Sequence, residues 1–468
     1  MNGFLSWTAI CLSAFASLQL PARAQSIAPP APTESAVPFT QLQNAAQNGV
    51  AIESATSSPV EGHAITLTLP DAEARALKNQ PRLLAEHFRA QAANKRIGEP
   101  RASYFPQAFG NLTAVEANGD TAVSAGALTT SSISTRAAGG ASLVQMITDF
   151  GHTSNLVQSA RFEAKAAGQS EESIRQSILM EVEEAYFSAQ GAESIRKTAQ
   201  AVLEFRQVTL RQLSALAQSQ LRSTLDVQFA QVMVSEAELA VVRADSNVQK
   251  TQALLAAAMG EEGAANYILA DSTLPPSPDA DPAGYINEAI ANRPDLKALK
   301  LHTESARHEA QAERDLDYPT VNALAAGGEV PIHDSTIHRE YGAAGVNINV
   351  PIFNGGLYSA RAAAAKLEAK AADKDASLRE VEIVRDVRMT WADARDAYLQ
   401  IGVSQRLVDE ANVAMHLAKA RYDAGLGSIV ELNQAELNQT SALITAATTR
   451  FDYLQAMTAF QFAMGNLH

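Results

Sequence analysis

The chain has 468 residues, with 37 Lys and Arg against 51 Asp and Glu and a net charge of −14 at pH 7. That balance, with no basic block and no interleaving of basic and aromatic residues, argues against a nucleic-acid-binding surface. The sole cysteine, Cys11, leaves no disulfide to form within the chain.

Residues 4–20 are mostly apolar and lead into Ala22-Arg23-Ala24, an A-x-A cleavage pattern, so residues 1–24 read as a secretory signal peptide. No Lys or Arg precedes the apolar run, and Cys11 lies inside it, where lipid attachment does not occur. Beyond the signal no run of 18 apolar residues appears, so no transmembrane helix is available. Membrane contact, if any, must be made by β-strands. Residues 25–65, rich in Pro, Ser, Thr, Ala and Gln, read as an extended tether. Thr68-Leu-Pro-Asp71 then opens a helix, with Thr68 as cap, Pro70 early in the first turn and Asp71 completing a capping box.

A tandem repeat organises the remainder. Residues 149–260 reappear at 354–465, displaced by a constant 205 positions. Glu163-Ala-Lys-Ala-Ala167 matches Glu368-Ala-Lys-Ala-Ala372, Tyr186 matches Trp391, and Met259-Gly260 matches Met464-Gly465. A register kept over that length implies two copies of one structural unit. The copies occupy 66–260 and 286–468, with a proline-rich connector at 261–285. Their early parts repeat at an offset of 213, Asn79-Gln-Pro81 matching Asn292-Arg-Pro294, each followed 25 residues later by Pro106 or Pro319. The eight-residue difference belongs in loops.

Strand candidates follow those second prolines. Val346, Ile348, Val350 and Ile352 alternate with Gly345, Asn347, Asn349 and Pro351, a period of two. Segments 104–117, 133–147 and 319–331 alternate more weakly. Asn118-Gly-Asp120 with Thr129-Thr-Ser-Ser132, and His333-Asp-Ser335, read as turns between strands. Each copy thus supplies one hairpin, within 104–147 and 319–353, long enough to cross a bilayer. Tyr104, Phe105, Phe109, Tyr318, Tyr341 and Phe353 are candidates for an interfacial aromatic girdle. Four strands cannot close a barrel and an open edge is forbidden in lipid, so the chain is expected to oligomerise.

No proline lies between Pro106 and Pro275 or after Pro351, and the spans are rich in helix formers. Helices are expected over 152 to about 218 and 357 to about 423, each roughly 100 Å long. Their apolar stripes are Ile174, Ile178, Val182, Ala185 and Ala189 in one, and Leu378, Val381, Val384, Val387, Trp391, Ala394, Tyr398 and Ile401 in the other. Return helices follow near 224–258 and 429–463. The reversals, at 218–224 and 424–428, align by the same offset as Leu221-Arg-Ser-Thr-Leu-Asp226 and Leu426-Gly-Ser-Ile-Val-Glu431. Each carries Ser-x-x-acid, Ser223 with Asp226 and Ser428 with Glu431, which predicts a capping box. Gly425 predicts a left-handed stop and Arg421 suits the helix dipole. The first turn has Gln220 in place of that glycine and is expected to close differently.

The double repeat, the Asn-x-Pro helix starts, Pro351-Ile-Phe-Asn-Gly-Gly356 and Arg421-Tyr-Asp-Ala-Gly-Leu-Gly-Ser-Ile-Val-Glu431 together resemble the TolC-like outer-membrane factor family, from about residue 66 to the end. The resemblance implies a mainly α chain whose long helices form an α-helical barrel, with four strands per protomer in a 12-stranded trimeric β-barrel. It implies an outer-membrane location with the helices in the periplasm, a homotrimer embedded in outer-membrane lipid, a periplasmic adaptor protein and an inner-membrane pump. The turns would form the periplasmic mouth. Asp226 and Glu431 match acidic mouth positions, and Tyr422 matches a tyrosine that helps hold family members closed. A basic residue of that closure is Gly427 here. Leu221, Ser223, Leu225, Gly425, Leu426, Ser428 and Val430 are the expected adaptor-contact tips.

No catalytic motif is present, and His333 and His338 read as solvated loop residues, so no enzyme activity, metal or cofactor is expected. The function expected is a passive conduit of a tripartite efflux system, with a type I secretion duct as the alternative. A periplasmic adaptor or soluble coiled-coil protein is the reading from another class; the former predicts one hairpin and the latter no strands.

Overall fold

The computed structural model describes residues 65–116, 121–125, 128–133, 136–262, 267–332 and 338–467. The signal, residues 25–64 of the tether, Asn118-Gly-Asp120 and His333-Asp-Ser335 lie outside them. The first copy runs β1 (Ile65–Leu67), α1 (Leu69–Asn79), α2 (Pro81–Arg96), a short α3 (Gly98–Arg101), β2 (Gln107–Val115), β3 (Thr121–Ala125), β4 (Leu128–Ile133), β5 (Arg136–Thr148), α4 (His152–Gln218) and α5 (Thr224–Ala258). The connector holds β6 (Tyr267–Leu269) and α6 (Ala283–Asn292), and the second copy continues with α7 (Pro294–Asp315), β7 (Thr320–Ile332), β8 (Glu340–Asn349), α8 (Leu357–Asp423) and α9 (Ile429–Met464).

The repeat is visible in the backbone. Among the described residues the positive-φ positions form four pairs separated by 205: Phe150 with Gly355, Gly151 with Gly356, Gln220 with Gly425, and Gly260 with Gly465. The first two pairs make the strand-to-helix junctions, where Asp149 Oδ1 and Asn354 Oδ1 accept from the amides of Gly151 and Gly356. The last pair ends the return helices. There the residue inside each Asn-x-Pro motif reaches the departing helix end: Gln80 Nε2 donates to the Ala258 carbonyl, 3.0 Å, and Arg293 Nη1 to that of Ala463, 3.4 Å. These side chains satisfy carbonyls that the helix cannot.

α4 and α8 have 67 residues each, and alanine on their inner faces lets neighbouring backbones approach closely. Around α4, Ile178, Val182, Tyr186 and Ala189 pack with Leu67, Ala72, Ala76, Leu255 and Met259. Around α8, Ile383, Val387 and Ala394 pack with Leu296, Phe460 and Met464. Tyr186 and Trp391, equivalent in the repeat, both reach the connector: the Tyr186 hydroxyl is 2.9 Å from the Ala270 carbonyl and Trp391 Nε1 donates to Asp279 O, 2.9 Å. Three members of the expected α8 stripe, Leu378, Val381 and Tyr398, are exposed instead, because the buried stripe follows Ala376, Ile383, Val387, Ala394 and Ala397.

The strands form an antiparallel sheet ordered β2-β5-β7-β8, so the two copies join through β5 and β7. β8 stops at Asn349, and Val350 and Ile352 lie beyond it, since Pro351 has no amide to offer a ladder. Thr129 to Ser132, expected as a turn, are strand: β4 pairs with β3 in a separate hairpin. Registers place Ala108, Leu112, Ala141, Leu143, Val321, Ala323, Ala325, Val346 and Ile348 on one face, and Gln107, Asn111, Thr113, Ser142, Asn322, Asn347 and Asn349 on the other. Glu329 and Glu340 face each other at one end of the apolar band, where Arg339 pairs with Glu329.

Tyr104, Phe105, Tyr318 and Phe353 are exposed just outside the opposite strand ends, as a girdle requires. Phe109 and Tyr341 are not part of it, because both sit within strands on the polar face. Tyr341 pairs with Gly328, and its hydroxyl occupies the space a Cβ on Gly140 or Gly328 would fill.

Candidate functional site: the paired helix reversals

The α4–α5 and α8–α9 reversals are built alike. The Leu221 amide donates to Leu216 O, 2.9 Å, and the Gln220 amide to Ala217 O, 3.0 Å; the equivalent Leu426 and Gly425 amides donate to Arg421 O, 2.8 Å, and Tyr422 O, 3.0 Å. These are Schellman closures around a left-handed residue. The first turn therefore does not close differently: Gln220 adopts φ +58°, beside +72° for Gly425.

The serines cap as expected, Ser223 Oγ accepting from Leu225 N, 3.1 Å, and Ser428 Oγ from Glu431 N, 3.2 Å. The acids do not complete capping boxes. Asp226 Oδ2 accepts instead from the Tyr422 hydroxyl, 2.7 Å, across the two hairpins. Glu431 Oε1 accepts from Arg421 Nε, 3.1 Å, within its own hairpin. Among the described residues only Thr68 and Asp71 form the reciprocal box.

Tyr422 is 4% exposed, packed among Leu213, Ala230, Met415, Ala418, Ile429 and Leu432. Burial, and secondarily the hydrogen bond to Asp226, push its hydroxyl pKa up to about 12, so it remains a neutral donor. Above this cluster, Arg206 is buried and donates to the Met233 carbonyl, 2.8 Å. Glu436, also buried, has its pKa raised by burial and drawn back by the charge of Arg206.

Leu221, Leu225, Leu426 and Val430 are exposed at the turns, the first and third at 70% and 75%, and they form two repeat-equivalent pairs. Ser223 and Ser428 are exposed between the members of each turn, and Gly425 is exposed just before Leu426. The structure thus brings Asp226 and Tyr422 together, leaves Glu431 on Arg421, and presents the apolar tips to solvent. Sequence reasoning missed Arg206 and Arg222. The latter donates to Tyr422 O, 2.7 Å, and its position in the repeat, equivalent to Gly427, was the available signal.

Among the described residues no helix is long and apolar enough to cross a membrane. A family model described as outer membrane efflux protein matches residues 74–261 and 285–466. Protein CyaE of Bordetella pertussis is 25% identical over 381 residues, covering 80% of this chain and 79% of that protein. The alkaline protease secretion protein AprF of Pseudomonas aeruginosa is 26% identical over 194 residues, 40% of each chain. The crystal structure of the outer membrane protein VceC from Vibrio cholerae superposes with a TM-score of 0.74 at 20% identity, over 85% of this chain and 96% of that one. With both repeat copies matched, the chain belongs to the outer membrane efflux protein family.

Proposed function

We propose that three copies assemble into a passive duct, each giving four strands to a twelve-stranded barrel in the outer membrane and four long helix stretches to a periplasmic tunnel. The observation that carries this is the two-faced sheet. One face is apolar across its middle and the other carries every asparagine of the four strands, while β2 and β8 remain unpaired edges. Closure of such a wall on itself puts the apolar face in lipid, the polar face around water, and leaves no edge.

The helices support the same assembly. Val232, Leu239 and Val242 on α5, and Leu399, Val403, Leu407 and Val413 on α8, are exposed apolar residues in one copy, in seams that neighbouring copies would cover. The mouth is the paired turns. Asp226 and Tyr422 hold the two hairpins of a copy together, a charge-assisted bond worth roughly 1.5–3 kcal/mol. Opening requires them to part, and the exposed Leu221, Leu225, Leu426 and Val430 are where an adaptor would grip. Energy comes from an inner-membrane pump joined through that adaptor.

Bilayer conductance of detergent-purified protein tests this, with its mass measured in parallel. A trimer with cation-preferring conductance is expected, and Asp226→Asn combined with Glu431→Gln should weaken the preference. A water-soluble monomer would overturn the duct, and unchanged selectivity would remove the two acids from the permeation path. The likeness to AprF favours protein export as a second reading of the same duct; an intact secreted polypeptide lost from the medium on gene deletion would distinguish it from small-molecule efflux.

A further inference from the structure

Arg222 lies in the first reversal, half-buried, and its side chain leaves its own hairpin for the second. Nη2 donates to Tyr422 O at 2.7 Å and approaches Asp423 O at 3.3 Å, while the guanidinium carbon stands 4.3 Å from the centre of the Tyr422 ring. Those carbonyls belong to the last turn of α8 and carry the negative end of the helix dipole; that of Tyr422, which also accepts from the Gly425 amide, has a second lone pair for Arg222. A cation over an aromatic face adds a further attraction. Tyr422 is thus held by the first hairpin at both ends: Asp226 at the hydroxyl, Arg222 at the backbone and the ring.

We propose that Arg222 is a gating residue, the second and independent half of the latch that keeps the mouth shut. This rests on the duct reading given above. The repeat explains why the latch is one-sided. The position equivalent to Arg222 in the second reversal is Gly427, where a Cβ would stand only 3.2 Å from Arg421 Cβ and Glu431 Oε2 and 3.3 Å from Tyr422 N. A long side chain starting there would have to displace the Arg421–Glu431 pair. The first reversal therefore reaches across and the second receives it. Lysine is a poorer replacement, because a compact, strongly hydrated ammonium on a differently shaped stem cannot hold both the carbonyls and the ring as the broad, weakly hydrated guanidinium does.

The test is single-channel recording of full-length protein in planar bilayers, comparing wild type with Arg222→Ala, Arg222→Lys, Tyr422→Phe, and Arg222→Ala with Tyr422→Phe. Arg222→Ala should raise the open fraction about tenfold, equivalent to about 1.4 kcal/mol. Arg222→Lys should recover only part of the closure. The double variant should be more open than either single one, since Tyr422→Phe breaks the Asp226 bond but keeps the ring and carbonyl that Arg222 uses. If Tyr422→Phe opens the channel while Arg222→Ala matches wild type, Arg222 is no latch and the duct reading survives. If Arg222→Ala fails to assemble, Arg222→Lys decides: closure equal to wild type overturns the guanidinium's part in the latch. If neither wild type nor any variant conducts, the duct reading falls and this proposal with it.

Discussion

Gln220 and Gly425 stand 205 positions apart and hold the same left-handed backbone, at φ +58° and +72°. For a residue with a side chain that conformation costs about 1–2 kcal/mol, whereas glycine adopts it freely. The first mouth turn is therefore strained where the second is relaxed. Gln220→Gly removes the strain but also loosens the unfolded chain, leaving a net local gain of about 0.5 kcal/mol. Gly425→Gln introduces the strain, only part of which is offset by a stiffer unfolded chain. Hydrogen exchange reads both: the Leu221 amide, bonded to Leu216 O, should exchange more slowly in the first variant, and the Leu426 amide, bonded to Arg421 O, faster in the second. Equal exchange in variant and wild type would refute the strain.

The helix ends at Gly260 and Gly465 are under a stricter requirement. A Cβ on Gly260 would lie 2.9 Å from the carbonyl carbon and oxygen of Asn79 and 3.0 Å from Gln80 Cα, all backbone, in addition to the positive φ. Nothing there is the flexible end of a side chain. Gly260→Ala should therefore lower stability by about 3 kcal/mol, combining strain with displaced backbone. Gly465→Ala meets Arg293 at 3.1 Å and should cost similarly. Thermal unfolding of the assembled protein measures both, and a loss below that of Gly425→Ala would mean that the Asn-x-Pro junction yields easily.

These cases separate what the sequence discloses from what it conceals. The long helices are legible because 67-residue spans without proline and rich in alanine have few alternatives. Strand ends are less so. The alternation at Val346 continues through Ile352, yet pairing ends before Pro351, and Thr129 to Ser132 resemble a turn although threonine suits a strand equally well. At the mouth, Ser-x-x-acid is the same signature whether the acid bonds its own cap or, like Asp226, a tyrosine 196 residues away. Gln220 hides its left-handed backbone because only glycine announces one. Arg222 is hidden by a partner 200 residues distant.

Glu73 gives the first copy a pH-dependent weakness. Burial, and then the charge of Glu183, raise its pKa from 4.5 to about 7, and Glu183 and Glu184 on the facing α4 are raised too, each chiefly by burial. A carboxyl whose folded pKa exceeds its unfolded value binds more protons folded than unfolded. Below pH 4.5 both states are protonated and nothing is lost. Stability then falls as pH rises from about 4.5 to about 7, and the loss is complete above that window. With the carboxyl half in solvent, the loss at Glu73 is about 1 kcal/mol. Glu73→Gln should recover it at pH 8 and change nothing at pH 4, by thermal unfolding at the two pH values. A gain of the same size at both would assign the effect to packing instead.

Val346 and Asn347 are neighbours on β8 that point to opposite faces of the sheet, opposite Ala323 and Asn322. If the apolar face meets lipid, the two positions must respond differently to one substitution. Arginine on the lipid side of a membrane barrel costs about 2–4 kcal/mol near the bilayer centre, whereas arginine facing a water-filled lumen keeps its hydration. Val346→Arg should therefore sharply reduce the fraction of protein recovered as a heat-sensitive, detergent-resistant assembly. Asn347→Arg should assemble normally and lower cation conductance, since it adds three positive charges to the lumen of a trimer. Pairing the variants controls for side-chain size and for β-propensity, because both place the same residue in the same strand. Equal assembly of the two would mean that neither face is in contact with lipid, and the sheet would have to close in some other way than around a pore.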